Sequence, residues 1–264
     1  MSNGNSCQAP RNSVNAKDYI KYIFKDFVEL SGDRLFGDDQ SVIGGLAFLN
    51  DMPVTVIGQL RGNNFNEQIQ FNFSMTHPEG FRKSLRLMKQ AEKFNRPVIC
   101  FVDTIGAYPG ESAESRGQAN AIANNIMEMS FLKVPIITVL IGNGCSGGAL
   151  ALCVSDRLLT LENATLSVIS AKASEEIFQK NSQKKMEFAQ MLKMTSSELL
   201  QYGIADHIIF EHIDGCNLSY DAIATSIKNY LIEEIKYLKK NNKKKMIKKR
   251  LKKYRNIIIG ENFD

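Results

Sequence analysis

The run from Ile136 to Ala151, Ile-Ile-Thr-Val-Leu-Ile-Gly-Asn-Gly-Cys-Ser-Gly-Gly-Ala-Leu-Ala, constrains the fold of this chain more than any other stretch. An apolar, β-branched segment of strand length feeds four glycines and then a helix-forming segment. Glycine tolerates positive φ and lets a ligand approach the backbone, and the first amides of a helix have no partner within it. Such a junction is an anion trap if a ligand reaches it and a tight, closely packed turn if none does. The pattern Gly144-Cys145-Ser146-Gly147-Gly148 also fits G-x-S-x-G, the elbow that presents a nucleophilic serine. Ser146 would then need a histidine. His207 and His212 lie beside Asp206 and Asp214, so a serine hydrolase stays open on these residues alone.

Around this junction the pattern alternates. Lys17 to Leu30 has the 3.6-residue recurrence of an amphipathic helix, and Ser41 to Leu49 with Val54 to Leu60 read as a hairpin split by Asn50-Asp51-Met52-Pro53. A helix is expected over Pro78 to Phe94, a strand over Val98 to Val102, a helix over Glu114 to Phe131, a strand over Pro135 to Ile141 and a helix over Ala149 to Val154. Two short strands, Arg157 to Leu161 and Leu166 to Ser170, precede polar helices from Glu175 to Tyr202. A strand at Asp206 to Phe210 and a helix at Ser219 to Lys240 follow. Strands alternating with helices predict βα crossovers and a layered α/β domain.

Val102 to Gln118, Val-Asp-Thr-Ile-Gly-Ala-Tyr-Pro-Gly-Glu-Ser-Ala-Glu-Ser-Arg-Gly-Gln, leaves a neighbouring strand in the same way. Two glycine-rich loops at one sheet edge would face a single crevice, where ligands of α/β folds bind. Tyr108 is placed to stack or hydrogen-bond there and Arg116 to hold an anion; otherwise both are ordinary loop residues.

Composition narrows the rest. No apolar run approaches the roughly 20 residues of a membrane span, and residues 1–15 lack the apolar core of a secretory signal, which points to the cytoplasm. Five scattered cysteines without a C-x-x-C pair give no zinc ribbon or disulfide framework, and no metal site is legible. The net charge of +5 hides a division: residues 236–255 hold twelve Lys or Arg and no acid, leaving 21 bases against 28 acids elsewhere. The body is acidic and the tail basic. A solvated helix is the expectation for that tail, with no membrane and no nucleic-acid partner expected.

From Asp18 to Glu211 the chain resembles the alpha subunits of bacterial acetyl-CoA carboxylase carboxyltransferase, in the short form. The matching motifs are E-L-S-G-D-R (Glu29 to Arg34), V-I-G-G (Val42 to Gly45), H-P-E-G-F-R-K-S-L-R-L-M-K-Q-A-E-K-F (His77 to Phe94), G-A-Y-P-G (Gly106 to Gly110), R-G-Q (Arg116 to Gln118), L-K-V-P-I-I (Leu132 to Ile137) and S-G-G-A-L-A (Ser146 to Ala151). The resemblance implies a crotonase-like spiral of ββα units with flanking helices. It divides the chain into a flexible N-terminus (1–16), a carboxyltransferase domain (17–235) and a basic C-terminal helix or tail (236–264).

The implied reaction moves a carboxyl group from carboxybiotin on its carrier protein to acetyl-CoA, giving malonyl-CoA for fatty acid synthesis. The implied assembly is two alpha and two beta chains, with no metal in this one. Gly147 and Gly148 would be catalytic, their amides stabilising the biotin urea oxygen. Gly106, Ala107, Tyr108, Gly110, Arg116, Gly144 and Ser146 would line the substrate and biotin site. Replacing Gly147 and Gly148 together by valine should then abolish turnover while assembly survives.

The chain departs from the pattern at Asn143 and Cys145, at Ile105, at Glu111-Ser112, at Ser115 and at Ser170-Ala171-Lys172-Ala173. Those changes keep two alternatives open, a divergent paralogue for another acyl-CoA and a noncatalytic subunit that binds a beta chain.

Overall fold

The computed structural model describes residues 14–167 and 193–257. In chain order the elements are α1 (Ala16–Ile23), β1 (Lys25–Glu29), β2 (Val42–Leu49), β3 (Met52–Gln59), α2 (Phe65–Gln70), β4 (Met75–Thr76), α3 (Pro78–Lys93), β5 (Val98–Thr104), β6 (Gly106–Ala107), α4 (Glu111–Ser115), α5 (Gln118–Phe131), β7 (Ile136–Cys145) and α6 (Ser146–Cys153). Then come β8 (Arg157–Leu161), β9 (Thr165–Ser167), β10 (Lys193–Thr195), α7 (Ser196–Gln201), β11 (His207–Ile209), β12 (His212–Ile213), β13 (Cys216–Asn217), α8 (Tyr220–Lys239) and α9 (Lys243–Ile257).

The main sheet runs β1-β2-β3-β5-β7-β8-β11, with β9 paired to β7 and β10 to β9. β1, β2 and β3 pair antiparallel, whereas β3, β5, β7, β8 and β11 are parallel. The central strands β5 and β7 are apolar over most of their buried length because both faces are covered. Helix α3 packs on β2 and β3, and α6 on β5, β6 and β7; α1 reaches β3, β5 and α8. Tyr19 of α1 stacks on Phe101 of β5 with ring centroids 6.0 Å apart.

The expected hairpin and the helix from Pro78 stand as read, but the first helix does not. It ends at Ile23, and Lys25–Glu29 form an edge strand on β2. Gly45 on β2 permits this docking, since a Cβ there would collide with the Val28 carbonyl. Pairing with that edge overrides the local helical recurrence. The helix expected from Glu114 to Phe131 is two, broken at Gly117 with φ of +83°.

The largest correction concerns the glycine-rich turn. β7 continues to Cys145, with Asn143, Gly144 and Cys145 paired to Thr165, Leu166 and Ser167, and α6 starts at Ser146 rather than Ala149. Gly142 and Gly144 are therefore packing positions. A Cβ at Gly142 would lie 2.6 Å from Asp103, and one at Gly144 would lie 2.8 Å from Leu166.

Of the strand expected over Leu166 to Ser170, Leu166 and Ser167 are strand, and residues 168–170 lie outside the described residues with Ala171 to Ala173. Of the helices expected over Glu175 to Tyr202, residues 193–195 are strand and Ser196–Gln201 helix, started by a Thr195/Glu198 capping box. The basic tail is helical from Lys243 to Ile257, yet only one of its faces is solvated, because Arg250 is wholly buried.

Candidate active site

The site forms where β5 and β7 both overrun the sheet and turn. Ser146 takes φ of +47°, which bends the chain from strand into α6 within one residue. Helix α6 has no side-chain cap, so its first amides depend on other partners. Among the described residues, the Gly147 and Gly148 amides meet no carbonyl outside their own helix. The first turn of α6 presses on β6: a Cβ on Gly148 would stand 2.6 Å from the Ala107 nitrogen and the Gly106 carbonyl carbon. At Gly147 the nearest atom to such a carbon is Ile122 Cγ2 at 3.4 Å, an ordinary contact. The two glycines thus differ. Gly148 is needed for the close approach of two backbones, whereas at Gly147 a methyl group would fit in contact with Ile122.

The structure brings Gly106 and Ala107 together with Gly147 and Gly148, as two adjoining strand exits predict. β6 is held by parallel pairing with β4 and by Thr104, whose hydroxyl donates to the Ser74 carbonyl at 2.5 Å and accepts from the Gly106 amide at 3.0 Å. Tyr108 follows directly. Its ring stacks on His77 with centroids 4.2 Å apart, and a side chain at Gly110 would overlap it. Gln118 donates to the Thr76 and Tyr108 carbonyls at 2.8 and 3.0 Å, tying this loop to the entry of α3.

Arg116, read from sequence as an anion holder or an ordinary loop residue, is ion-paired within the protein. Its Nε donates to Glu79 at 2.8 Å and Nη1 to the Ser112 carbonyl at 2.6 Å, while Nη2 meets His77 Nδ1 at 3.3 Å. The guanidinium also covers the Phe36 ring at 4.8 Å. Arg116 therefore clamps the α4 loop onto α3, and its charge is already matched by Glu79. Burial pushes the Glu79 carboxyl up, but Arg116 and Arg82 outweigh it and hold the group below its ordinary value. A cleft of about 440 Å³ opens beside this clamp, bordered by Phe36, Asp39, His77 and Glu79.

Arg82 continues the network to Asp33 at 2.8 Å. Burial raises the Asp33 carboxyl, yet the amides of Leu35, Phe36 and Gly37 together with Arg82 bring it down to about 2. Because this folded-state value lies below the unfolded one, its stabilisation is complete above roughly pH 4 and is lost as pH falls toward 2. Urea denaturation at pH 5 and pH 3 should show the wild type losing more stability than Asp33→Asn. Equal losses would remove Asp33 from the account.

The hydrolase reading meets the structure poorly. Ser146 does occupy a strained elbow, but His207 stacks on Tyr230 at 4.9 Å and His212 pairs with Glu162 at 3.1 Å, both engaged around β11 and β12. His77 lies on Tyr108. Among the described residues no histidine contacts Ser146, and no group of His, Cys, Asp or Glu is arranged to hold a metal. No described helix is long and apolar enough to cross a membrane.

Sequence reasoning missed Gln59, Asp33 and Arg82. Gln59 and Arg82 act across sequence separations of 89 and 49 residues, which no local pattern announces.

Residues 7–258 match the family described as acetyl co-enzyme A carboxylase carboxyltransferase-like. The chain is 51% identical over 241 residues, 91% of it and 88% of the relative, to the acetyl-coenzyme A carboxylase carboxyl transferase subunit alpha of Clostridium botulinum (strain Eklund 17B / Type B). It is 50% identical over 240 residues, 91% of it and 74% of the relative, to the subunit of that name from Bacillus velezensis. Among solved structures it is similar to transcarboxylase 12S, with a TM-score of 0.63 and 21% identity, covering 83% of this chain and 42% of that one. It is also similar to a Pseudomonas malonate decarboxylase hetero-tetramer in complex with coenzyme A. There the TM-score is 0.65 at 17% identity, over 82% of this chain and 86% of that one. At those identities the likeness speaks for the fold, which is crotonase-like.

Proposed function

The chain belongs to the acetyl-CoA carboxylase carboxyltransferase alpha-subunit family, and from that premise we propose how its own residues serve the transfer of a carboxyl group to acetyl-CoA, giving malonyl-CoA for fatty acid synthesis. The carboxyl donor is carboxybiotin on a carrier protein, and the cleft is completed by a beta subunit, two chains of each in the assembly. When the carboxyl group leaves, negative charge collects on the biotin urea oxygen. The observation that carries the reading is the first turn of α6: two adjacent amides that, among the described residues, have no carbonyl partner outside their helix. A preorganised pair of donors stabilises such an oxygen with no side-chain nucleophile and no reorganisation during the reaction.

The surrounding residues have positioning duties in this reading. Tyr108, stacked on His77, forms a flat wall next to β6, and Arg116 holds the loop that carries Tyr108 and Gly110. Gly144 and Ser146 set the approach and the bend of α6.

The test is malonyl-CoA synthesis from acetyl-CoA and carboxylated carrier, with the chain alone and with a co-expressed beta subunit. Turnover is expected only in the complex. A well-formed complex without turnover would instead mark a noncatalytic subunit, and preference for a longer acyl-CoA would mark a paralogue.

A further inference from the structure

We infer that Gln59 is a positioning residue for the Gly147–Gly148 amides, setting the first turn of α6 from the neighbouring strand β3. The inference rests on the proposed role of those amides. Gln59 is the last residue of β3 and is 1% exposed. Its Nε2 donates to the Gly148 carbonyl at 2.9 Å, 89 residues away in sequence. The orientation of the carboxamide follows from this contact, since the flipped group would set two acceptors against each other. Its Oε1 is buried and has no partner among the described residues.

Among the described residues the first turn of α6 has few other restraints. It lacks a side-chain cap, it is entered through a residue at positive φ, and behind it the β6 backbone only limits approach. The Gln59 bond pulls on the residue whose own N–H is one of the two donors. Oxyanion donors work within a span of about 2.7–3.1 Å, so a shift of a few tenths of an ångström in this turn weakens them. Asn125 makes a second such bond one turn on, to the Ala151 carbonyl at 3.3 Å, which holds the far end of the helix but not its donors.

The orphaned Oε1 separates this role from folding. Leucine at position 59 removes a buried acceptor along with the donor, so it should leave stability nearly unchanged while the rate falls. Glutamate offers a switch. Protonated, it donates to the Gly148 carbonyl as the amide does; ionised, it repels that oxygen. Burial raises its folded-state pKa above the unfolded value of about 4.3, so the donating form persists below the raised value and is lost above it.

The experiment compares wild type, Gln59→Leu and Gln59→Glu in complex with the beta subunit, measuring kcat, KM for acetyl-CoA and melting temperature from pH 6 to 9. Gln59→Leu should lower kcat about tenfold, with KM and melting temperature close to wild type, the scale of one net hydrogen bond. Gln59→Glu, taken relative to wild type at each pH, should approach it at the acid end and fall to the leucine level at the alkaline end. A leucine variant within twofold of wild type overturns the inference. So does a glutamate variant equally impaired at every pH. Should the leucine variant not assemble, the glutamate profile decides alone. Failure of the wild-type complex to form malonyl-CoA would instead defeat the reading of the site on which the inference rests.

Discussion

Arg250→Met is expected to lower the melting temperature of the protein by roughly 10 °C. The residue sits in the helix that composition presents as a solvated, polybasic tail, yet it is 1% exposed. All five guanidinium donor directions are used. Nε and Nη2 grip the Asp156 carboxylate at 2.9 and 2.7 Å, and Nη1 donates to the carbonyls of Met129 at 2.6 Å and Leu132 at 2.9 Å. Nη2 also reaches the Val134 carbonyl at 3.0 Å. These carbonyls are the end of α5 and its link to β7, where no further helix turn could satisfy them.

Removing one partner of a buried pair leaves the other charge uncompensated, which typically costs about 3–5 kcal/mol; at 2–4 °C per kcal/mol for a chain of this class, the shift follows. Arg250→Lys should recover only part of it, because an ammonium cannot span a carboxylate and three carbonyls. The double variant Arg250→Met, Asp156→Leu should be less unstable than the two singles combined. A single methionine variant melting within 2 °C of wild type would show that α9 adds little to the fold.

That arginine marks the boundary of what could be read from the residues in order. The hairpin at Asn50-Asp51, the helix from Pro78 and the buried parallel strands were legible because turn chemistry and apolar periodicity are local. The strand-to-helix junction was legible as a junction for the same reason, though its glycines could mean a ligand site or close packing. Its extent was not. Gly142 and Gly144 look like turn residues, and only the pairing of β7 with β9 and the bulk of Asp103 and Leu166 show that they are strand positions. Arg250 and Asp156 are 94 residues apart, and in a run of twelve cations nothing in sequence distinguishes the one that is fully buried from the rest. Arg116 could be read in two ways. A cation in a glycine-rich loop suggests a bound anion, and here the anion is the protein's own Glu79.

The contrast between Gly147 and Gly148 leads to the second large effect. Gly147→Pro should lower malonyl-CoA formation by about 10²–10³-fold, the typical result of deleting one oxyanion donor, equivalent to about 2.7–4 kcal/mol. Position 147 is the second residue of α6, where proline removes an amide that has no partner in the helix and the first turn accepts the ring. Folding and beta-subunit binding should therefore persist. Gly147→Ala keeps the N–H and meets only Ile122 Cγ2 at 3.4 Å, so it should remain at least tenfold more active than the proline variant. Gly148 behaves differently. Any Cβ there lies 2.6 Å from β6 backbone atoms, so Gly148→Ala should lose stability and activity together. The double valine variant suggested by sequence fails for the same reason, since it would disturb the packing of α6 on β6 before it tested any donor. The decisive comparison is proline against alanine at 147. If both lose activity equally the effect is steric crowding, and if neither loses it the reacting oxygen lies elsewhere.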